Sequence, residues 1–446
     1  MSANPRFRNN NSRRRRSSAI AAAVVEAMEP RMLLADPSFV PMQEFATGAS
    51  PISVAVADLN GDHKPDLVVA NHTGNTVSVL LGNGDGTFMG QTTLAVGKDP
   101  ESVAIADLNG DAKPDIVVPN SLDDNVGVLL GNGDGTFQTQ RTFAVGHTPG
   151  SFGYSPNSVA VGDMNRDGHL DLVTSNYMDD SVSVLLGNGD GTFQEATTFD
   201  VASKSGPSSA TLADLDGDGN LDLVAAYSNK HKVLVLRGNG DGTFPLPSSY
   251  ECEVTPVNVA VGDLNADGKP DIVVTYLYGV TVLLGNGNTS FQDHVHYDNY
   301  LSTGDVAIAD VNGDGVPDLA AVQYKDNTNR IQLLLGRGDG TFYFGSTLAT
   351  GNNPNSVASA DLNGDAKPDL VVTNWGSNTV GVFLNSTVPP GPDLAAPTPN
   401  PSTFATPPAW TGSAIRMVAT TATDPSGVQY FFGCTAGPGH DSGWQD

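Results

Sequence analysis

Short apolar runs rich in Val, Ile, Leu and Ala recur from about residue 50 to residue 385, each closed off by Gly, Asn, Asp or Pro. The first unit predicts four strands, at residues 53–58, 66–70, 76–81 and 87–96, with turn residues between them. No stretch carries a sustained helical period. Seven such units in tandem predict an all-β chain folded as a seven-bladed β-propeller. The last unit stops at Asn385, before a fourth strand, whereas residues 39–48 look like a fourth strand with no blade in front of it. The N-terminal strand is therefore expected to complete the seventh blade and close the ring, which removes exposed edges.

Between the first two strands of every unit lies a nine-residue acidic loop. The fullest copy is Asp214-Leu-Asp-Gly-Asp-Gly-Asn-Leu-Asp222, with carboxylates at positions one, three, five and nine. Six further copies begin at Asp58, Asp107, Asp163, Asp263, Asp310 and Asp361, always with Asp at one, five and nine and with Asn at three. Alternate oxygen-bearing side chains on a tight loop suit a hard cation such as Ca²⁺, which takes six to eight oxygens. The helix–loop–helix calcium signature needs a Glu at position twelve; here that position is Ala225, inside an apolar run, so the loop leads into a strand. A single such loop is equally a solvated turn, but seven copies in register point to metal.

Composition agrees with many short strands: 446 residues, only 16% charged, with 50 Gly and 29 Pro. The formal charge is −27, and the acidic loops hold close to half of the 49 acidic side chains. Clustered carboxylates repel one another without a cation, so calcium is expected to stabilise the fold. An acidic chain with no basic stripe excludes nucleic acid as a natural partner. Cys252 and Cys434 lie far apart in segments read as different domains, which argues against a disulfide framework.

The run Asp361-Leu-Asn-Gly-Asp-Ala-Lys-Pro-Asp369 and its six relatives resemble the FG-GAP-like (VCBS) repeats, related to the blades of the integrin α-chain propeller. The resemblance spans about residues 39–387. It implies a seven-bladed propeller with up to seven calcium ions, and often an extracellular setting. The implied ligands are Asp58, Asn60, Asp62 and Asp66; Asp107, Asn109, Asp111 and Asp115; Asp163, Asn165, Asp167 and Asp171; and Asp214, Asp216, Asp218 and Asp222. The later blades supply Asp263, Asn265, Asp267 and Asp271; Asp310, Asn312, Asp314 and Asp318; and Asp361, Asn363, Asp365 and Asp369. Position seven is implied to add a backbone carbonyl. The Phe-Gly and Gly-Ala-Pro pieces that name the repeat are replaced by Val-Val-x-Asn and Gly-Asn-Gly-Asp-Gly-Thr-Phe, so an integrin-like partner is not implied.

Strand parity places the acidic loops and the glycine turns between strands three and four on one face of the ring. The variable connections lie on the other. That second face is the candidate ligand face, carrying Phe152, Tyr154, Tyr177, Tyr227, Tyr276, Tyr278, Tyr324 and Trp375, aromatics suited to a sugar or a protein partner. The plainer reading is that these rings cap strand ends. The turn at Gly336 contains Arg337-Gly338-Asp339, read as a hairpin variant of its sisters rather than an adhesion tripeptide. His294 and His296 share one strand face, which suits either a transition metal or solvent. No zinc-protease helix motif or nucleophile elbow is present, so no catalytic residue is assigned.

Residues 1–35 place Arg13 to Arg16 before an apolar Ala19 to Val25, the order of an export signal; a disordered basic tail is the alternative. Glu29-Pro-Arg-Met-Leu-Leu34 resembles the Glu-Pro-Arg-x-Leu-Leu motif of exported planctomycete proteins. After the propeller at 36–387, residues 388–408 read as a Pro-rich linker and 409–446 as part of an immunoglobulin- or fibronectin-like β-sandwich, too short to be whole. The resulting expectation is a secreted or cell-surface bacterial calcium-binding propeller, a monomer without a transmembrane segment, acting as a binding or adhesion module for a glycan or protein. The alternatives are a carbohydrate-active enzyme such as a polysaccharide lyase, or its accessory propeller, and a structural spacer of a surface protein.

Overall fold

A computed structural model describes residues 36–146, 156–201, 206–244, 248–251, 255–298, 303–324 and 328–388, with four strands further on. Phe152, Tyr154, both cysteines and residues 1–35 lie outside the described residues. Contacts divide the chain into two units. In one of them the described strands are Phe404–Trp410 paired with Ile415–Ala419, and Ala422–Thr423 paired with Gln429–Tyr430. Phe404–Trp410 starts inside the segment expected to be linker. Its ladder shifts register between Thr406 and Ala409, across Pro407 and Pro408, which have no N–H to donate.

The other unit, Leu34–Pro390, holds seven four-stranded antiparallel sheets arranged as propeller blades. Blade one is Pro51–Ala57, Asp66–Asn71, Thr76–Leu80 and Thr92–Ala95, in that order across the sheet. Blades two to six repeat it from Ala104–Ala106, Ser158–Gly162, Pro207–Ala213, Pro256–Gly262 and Thr303–Ala309. The fourth strand of blade one is shorter than the apolar pattern predicts. Residues 82–89 close on themselves instead: Gly82 bridges Phe88, and the Asn83 N–H donates to the Thr87 carbonyl at 2.9 Å.

The second strand is buried at all six positions in every blade, because neighbouring sheets cover both of its faces. This is why its sequence reads as a continuous apolar run rather than an alternation. The fourth strands, by contrast, expose most of their Thr, Asp and Arg side chains at the rim. The apolar core is therefore seven layers, one between each pair of adjacent blades. At the rim, the Phe of a glycine turn meets an aromatic ring of the preceding blade's fourth strand edge-on, as in Phe143–Phe193 at 5.1 Å and Tyr297–Phe342 at 5.8 Å.

Closure follows the expected route. Blade seven takes Pro354–Ala360, Asp369–Asn374 and Thr379–Phe383 from the end of the propeller and Gln43–Ala46 from its start, with Phe45 opposite Val380. The Val40 N–H to Leu384 carbonyl bond (2.8 Å) and the Ser386 N–H to Ser38 carbonyl bond (2.8 Å) extend the seam. Phe45 also meets Phe88 of blade one at 5.3 Å, so the same strand joins blades seven and one.

Deleting residues 36–47 should lower the thermal midpoint sharply and cause concentration-dependent association, because Thr379–Phe383 becomes an open edge. Calorimetry and size-exclusion chromatography check this; an unchanged midpoint would show that the seam does not hold the ring.

Candidate functional site

The acidic loops are built by their own side chains. In blade one the Asp58 carboxylate accepts the N–H groups of Gly61 (2.7 Å), Asp62 (3.2 Å) and His63 (2.8 Å). The Asn60 side-chain oxygen accepts the Asp62 N–H at 2.9 Å, and Asp62 accepts the Lys64 N–H at 3.1 Å. Each odd-numbered side chain thus turns back on the backbone ahead of it and gathers its oxygens on the inside of the bend. These bonds also hold residues that disfavour the bend: position six has a left-handed backbone at His63, Ala112 and Ala366, none of them glycine.

Position nine does something different. Asp66 is fully buried. One of its oxygens accepts the N–H of Leu59, at loop position two (2.9 Å), and the other accepts the N–H of Gly82, at the head of the glycine turn (2.7 Å). All seven blades repeat the pair: the turn-side bond runs 2.7–2.8 Å and the loop-side bond 2.8–3.1 Å. Blade seven lacks the glycine turn, and there the Asn385 N–H takes the place of the glycine N–H on Asp369. Burial pushes these carboxyls above their ordinary range, with neighbouring loop carboxylates adding to the push, furthest at Asp318, to about 7.

Blade four is the one loop among the described residues where three carboxylates, Asp214, Asp216 and Asp218, bring one oxygen each within 4.8 Å of one another. In the other blades Asn replaces the middle acid. The Arg237 guanidinium lies 2.8 Å from an oxygen of both Asp216 and Asp218; the Asn220 N–H, and after it the Arg237 hydrogen bond, hold Asp218 below the usual carboxylate range. In blades one, two, five and seven a weaker lysine contact, such as Lys64 to Asp62 at 3.3 Å, is the local counter-charge. Geometry and donor chemistry at positions one, three and five fit a hard cation. Position nine adds a carboxylate already committed to two amides.

The opposite face opens into a cavity of about 270 Å³ on the axis. Every first strand begins there, and equivalent positions around the ring carry Ser53, Ser102, Ser158, Ser209, Asn258, Asp305 and Ser356. In five blades the first two strands shift register at this point, a bulge that re-aims the side chains at the strand start. A second cavity of about 310 Å³ shares Tyr324 and Asn355 with the first and is walled by Trp375. Trp375 meets the His72 ring at 5.1 Å, tilted by 35°. His72 Nε2 is 3.0 Å from Glu101, and Nδ1 is 4.0 Å from Asp99.

The FG-GAP-like repeat pattern matches residues 58–118, 120–174, 163–225, 214–274, 263–321 and 310–372. The chain belongs to the FG-GAP-like repeat family. No curated protein matches it. Among solved structures it resembles an Agrocybe aegerita lectin that recognises non-reducing terminal N-acetylglucosamine, at 21% identity over 72% of this chain and 92% of that one, TM-score 0.51. It also resembles BBS1N from a complex with ARL6DN, at 12% identity over 81% and 100%, TM-score 0.55. A third is virginiamycin B lyase from Staphylococcus aureus, at 12% identity over 78% and 99%, TM-score 0.54. At these identities the likeness is one of fold.

Within this FG-GAP-like propeller the expected ligand-face aromatics divide. Tyr324, Trp375 and Tyr177 are partly exposed and Tyr278 is exposed. Tyr227 and Tyr276 do not belong to that face. Both are fully buried at the last position of the second strand, where other blades carry Asn71, Asn120, Asn176, Gln323 or Asn374 between neighbouring sheets. The Tyr276 hydroxyl is turned to the Asp298 carboxylate. Arg337-Gly338-Asp339 is an ordinary glycine turn, with Asp339 accepting the Thr341 N–H at 2.9 Å and Arg337 over the Tyr343 ring. The rings of His294 and His296 are 4.5 Å apart on the outer strand of blade five; Thr281 contacts His296 at 2.7 Å, and no third metal-ligating residue joins them among the described residues. No described helix is long and apolar enough to cross a membrane. His72, Glu101 and Asp305 escaped sequence reasoning. Aligning the seven starts, (Pro/Thr)-x-(Ser/Asn/Asp)-(Val/Ala), exposes Asp305 as the single acid in that column.

Asp66→Ala leaves two buried amides without an acceptor and should cost about 1–3 kcal/mol for each, read by urea unfolding. Asp62→Ala, in the exposed part of the same loop, should cost less without metal; equal losses would remove the distinction between position nine and the rest. The hydrogen bond to Glu101 holds His72 above the ordinary imidazole range despite its burial. A histidine raised in the folded state lends stability that is complete below its unfolded pKa, about 6.5, and is lost as pH rises through its folded pKa. The advantage of wild type over Glu101→Gln should therefore shrink as pH rises from about 6 to about 9. A pH-independent difference in thermal midpoints would refute the pairing.

Proposed function

We propose that this chain is an exported FG-GAP-like propeller that acts as a binding or adhesion module, with calcium in the acidic loops and the ligand on the opposite face. The observation that carries the reading is the separation of chemistry between the two faces. Acidic loops and glycine turns share one face, tied together by the position-nine carboxylates. The adjacent cavities, which share Tyr324, lie on the other, one of them walled by Trp375. Aromatic rings beside amides and hydroxyls are the usual furniture of sugar recognition. The fold-level likeness to a lectin for terminal N-acetylglucosamine supports a glycan before a protein ligand.

In each loop the side chains at positions one, three, five and nine, with the position-seven carbonyl, would hold a calcium ion. When bound, the ion supplies the charge that the clustered carboxylates lack. Filling is expected to differ between blades. Blade four offers the most carboxylates but already holds the Arg237 guanidinium against two of them, so an incoming ion there competes with a built-in cation. The basic and apolar run within residues 1–35 supports export.

Thermal unfolding with calcium and with a chelator, alongside elemental analysis of bound metal, tests the structural half. A ligand at a hundred times its dissociation constant should add about 2.7 kcal/mol per site. An unchanged midpoint with no bound metal would reduce the acidic loops to turns. On the other face, Trp375→Ala should abolish binding on a glycan array at an unchanged midpoint. Retained binding would move the ligand elsewhere.

A further inference from the structure

The axial cavity is lined by seven equivalent polar positions, and its hydrogen-bonding capacity is unbalanced. Asp305 is the carboxylate of that ring. It accepts the Val306 N–H (2.8 Å), the Asn258 side-chain N–H (2.5 Å), the Ser356 hydroxyl (2.8 Å) and the Val357 N–H (3.1 Å). Ser209 in turn donates to Asn258 at 2.5 Å, so one side of the ring is a continuous chain over blades four to seven. Glu101 adds a second carboxylate at the rim, with one oxygen on His72. Asn157 Oδ1 is buried in the lining and has no hydrogen-bond partner. Among the described lining residues there is no Lys, Arg or His.

The cavity therefore presents two carboxyl groups, one filled by four donors and one shared with His72, and an orphaned carbonyl oxygen, with hydroxyls all round and a tyrosine on one wall. Its occupant has to be rich in donors. A neutral sugar offers hydroxyls that both donate and accept, whereas an ammonium group has three donors and no acceptor and answers the charge as well. An acidic sugar would meet Asp305 and Glu101, and the cation beside them, His72, is already on Glu101.

We propose that the axial cavity binds a small hydroxylated ligand carrying a protonated amine, of the amino-sugar class, with Asp305 and Glu101 supplying the charge and Asn157 one of the acceptors. At about 270 Å³ the space holds one sugar-sized residue, and the opening past Tyr324 to Trp375 lets a longer saccharide continue outward. The proposal rests on the reading that this face receives the ligand and adds to it the site and the charge of the terminal unit.

The test titrates the full chain in calcium with glucosamine, N-acetylglucosamine and glucuronic acid, by calorimetry or ligand-observed magnetic resonance. Glucosamine should bind about tenfold more tightly than its N-acetylated form, about the worth of one charge-assisted contact, and glucuronic acid should not bind. Glu101→Gln should narrow the preference. Ser102→Leu, which fills the cavity at another ring position, should abolish binding while the thermal midpoint stays within a few degrees. Asp305→Asn should remove the preference; if that variant unfolds, the other two decide. Equal binding of the two hexosamines, unaffected by Ser102→Leu but lost in Trp375→Ala, would overturn the axial site and leave the ligand face standing. No saccharide bound, by this panel or on the array, would overturn both.

Discussion

A buried carboxylate that accepts two backbone amides is the interaction on which this propeller depends. At position nine of every acidic loop the aspartate ties the loop to the turn at the far edge of its own sheet. The residue whose N–H it receives, at position two, has two further tasks. Its side chain is buried in the layer between blades, as at Leu59, Leu108 and Leu264. Its carbonyl accepts the N–H of the next blade's glycine turn: Gly135 on Leu59, Gly191 on Leu108, Gly242 on Met164, and Gly86 on Leu362 across the closure. One hydrogen-bond relay runs from acid to loop to next blade.

Two blades show how firm this requirement is. In blade seven the glycine turn is gone, yet Asn385 restores both halves of the relay. Its N–H serves Asp369, and its side-chain amide donates to the Val311 carbonyl of blade six at 2.9 Å. In blade five the turn is degraded and Thr289 stands where the sister turns carry glycine. There the Tyr250 hydroxyl of blade four donates to the Thr289 carbonyl at 2.7 Å, a different bond across the same seam. In blade seven a side chain thus supplies the bond that the backbone lacks, because a buried amide or carbonyl left unpaired is costly.

With cohesion concentrated on one face and in the seven apolar layers, the other face is free to vary. Its first-strand bulges turn a column of short polar residues towards the axis, and only there does the repeat admit an acid, Asp305, as an equivalent of serine. A charge at that position is tolerated because four donors from blades five, six and seven converge on it. Burial lifts the Asp305 carboxyl above its ordinary range, against the pull of those four hydrogen bonds.

The amino-acid sequence by itself determined the blade count, the strand order, the closure of blade seven by the N-terminal strand, and the sharing of one face by acidic loops and glycine turns. All four follow from local periodicity repeated seven times, and local chemistry survives in any context that pairs the strands. It could not separate the roles of the acids within a loop. Asp58 and Asp66 look alike in a pattern, and only packing decides that the first stays at the surface while the second is buried against two amides. Nor could it sort the aromatics. Tyr227 and Tyr276 lie one strand position from the variable loops, but sheets on both sides bury them, whereas Tyr324 and Trp375 remain at cavity walls. The ring of Ser53 to Ser356 is visible only when seven first strands, each about fifty residues from the next, meet around one axis. Proximity between residues so far apart in the chain is a property of the closed ring, and no single repeat contains it.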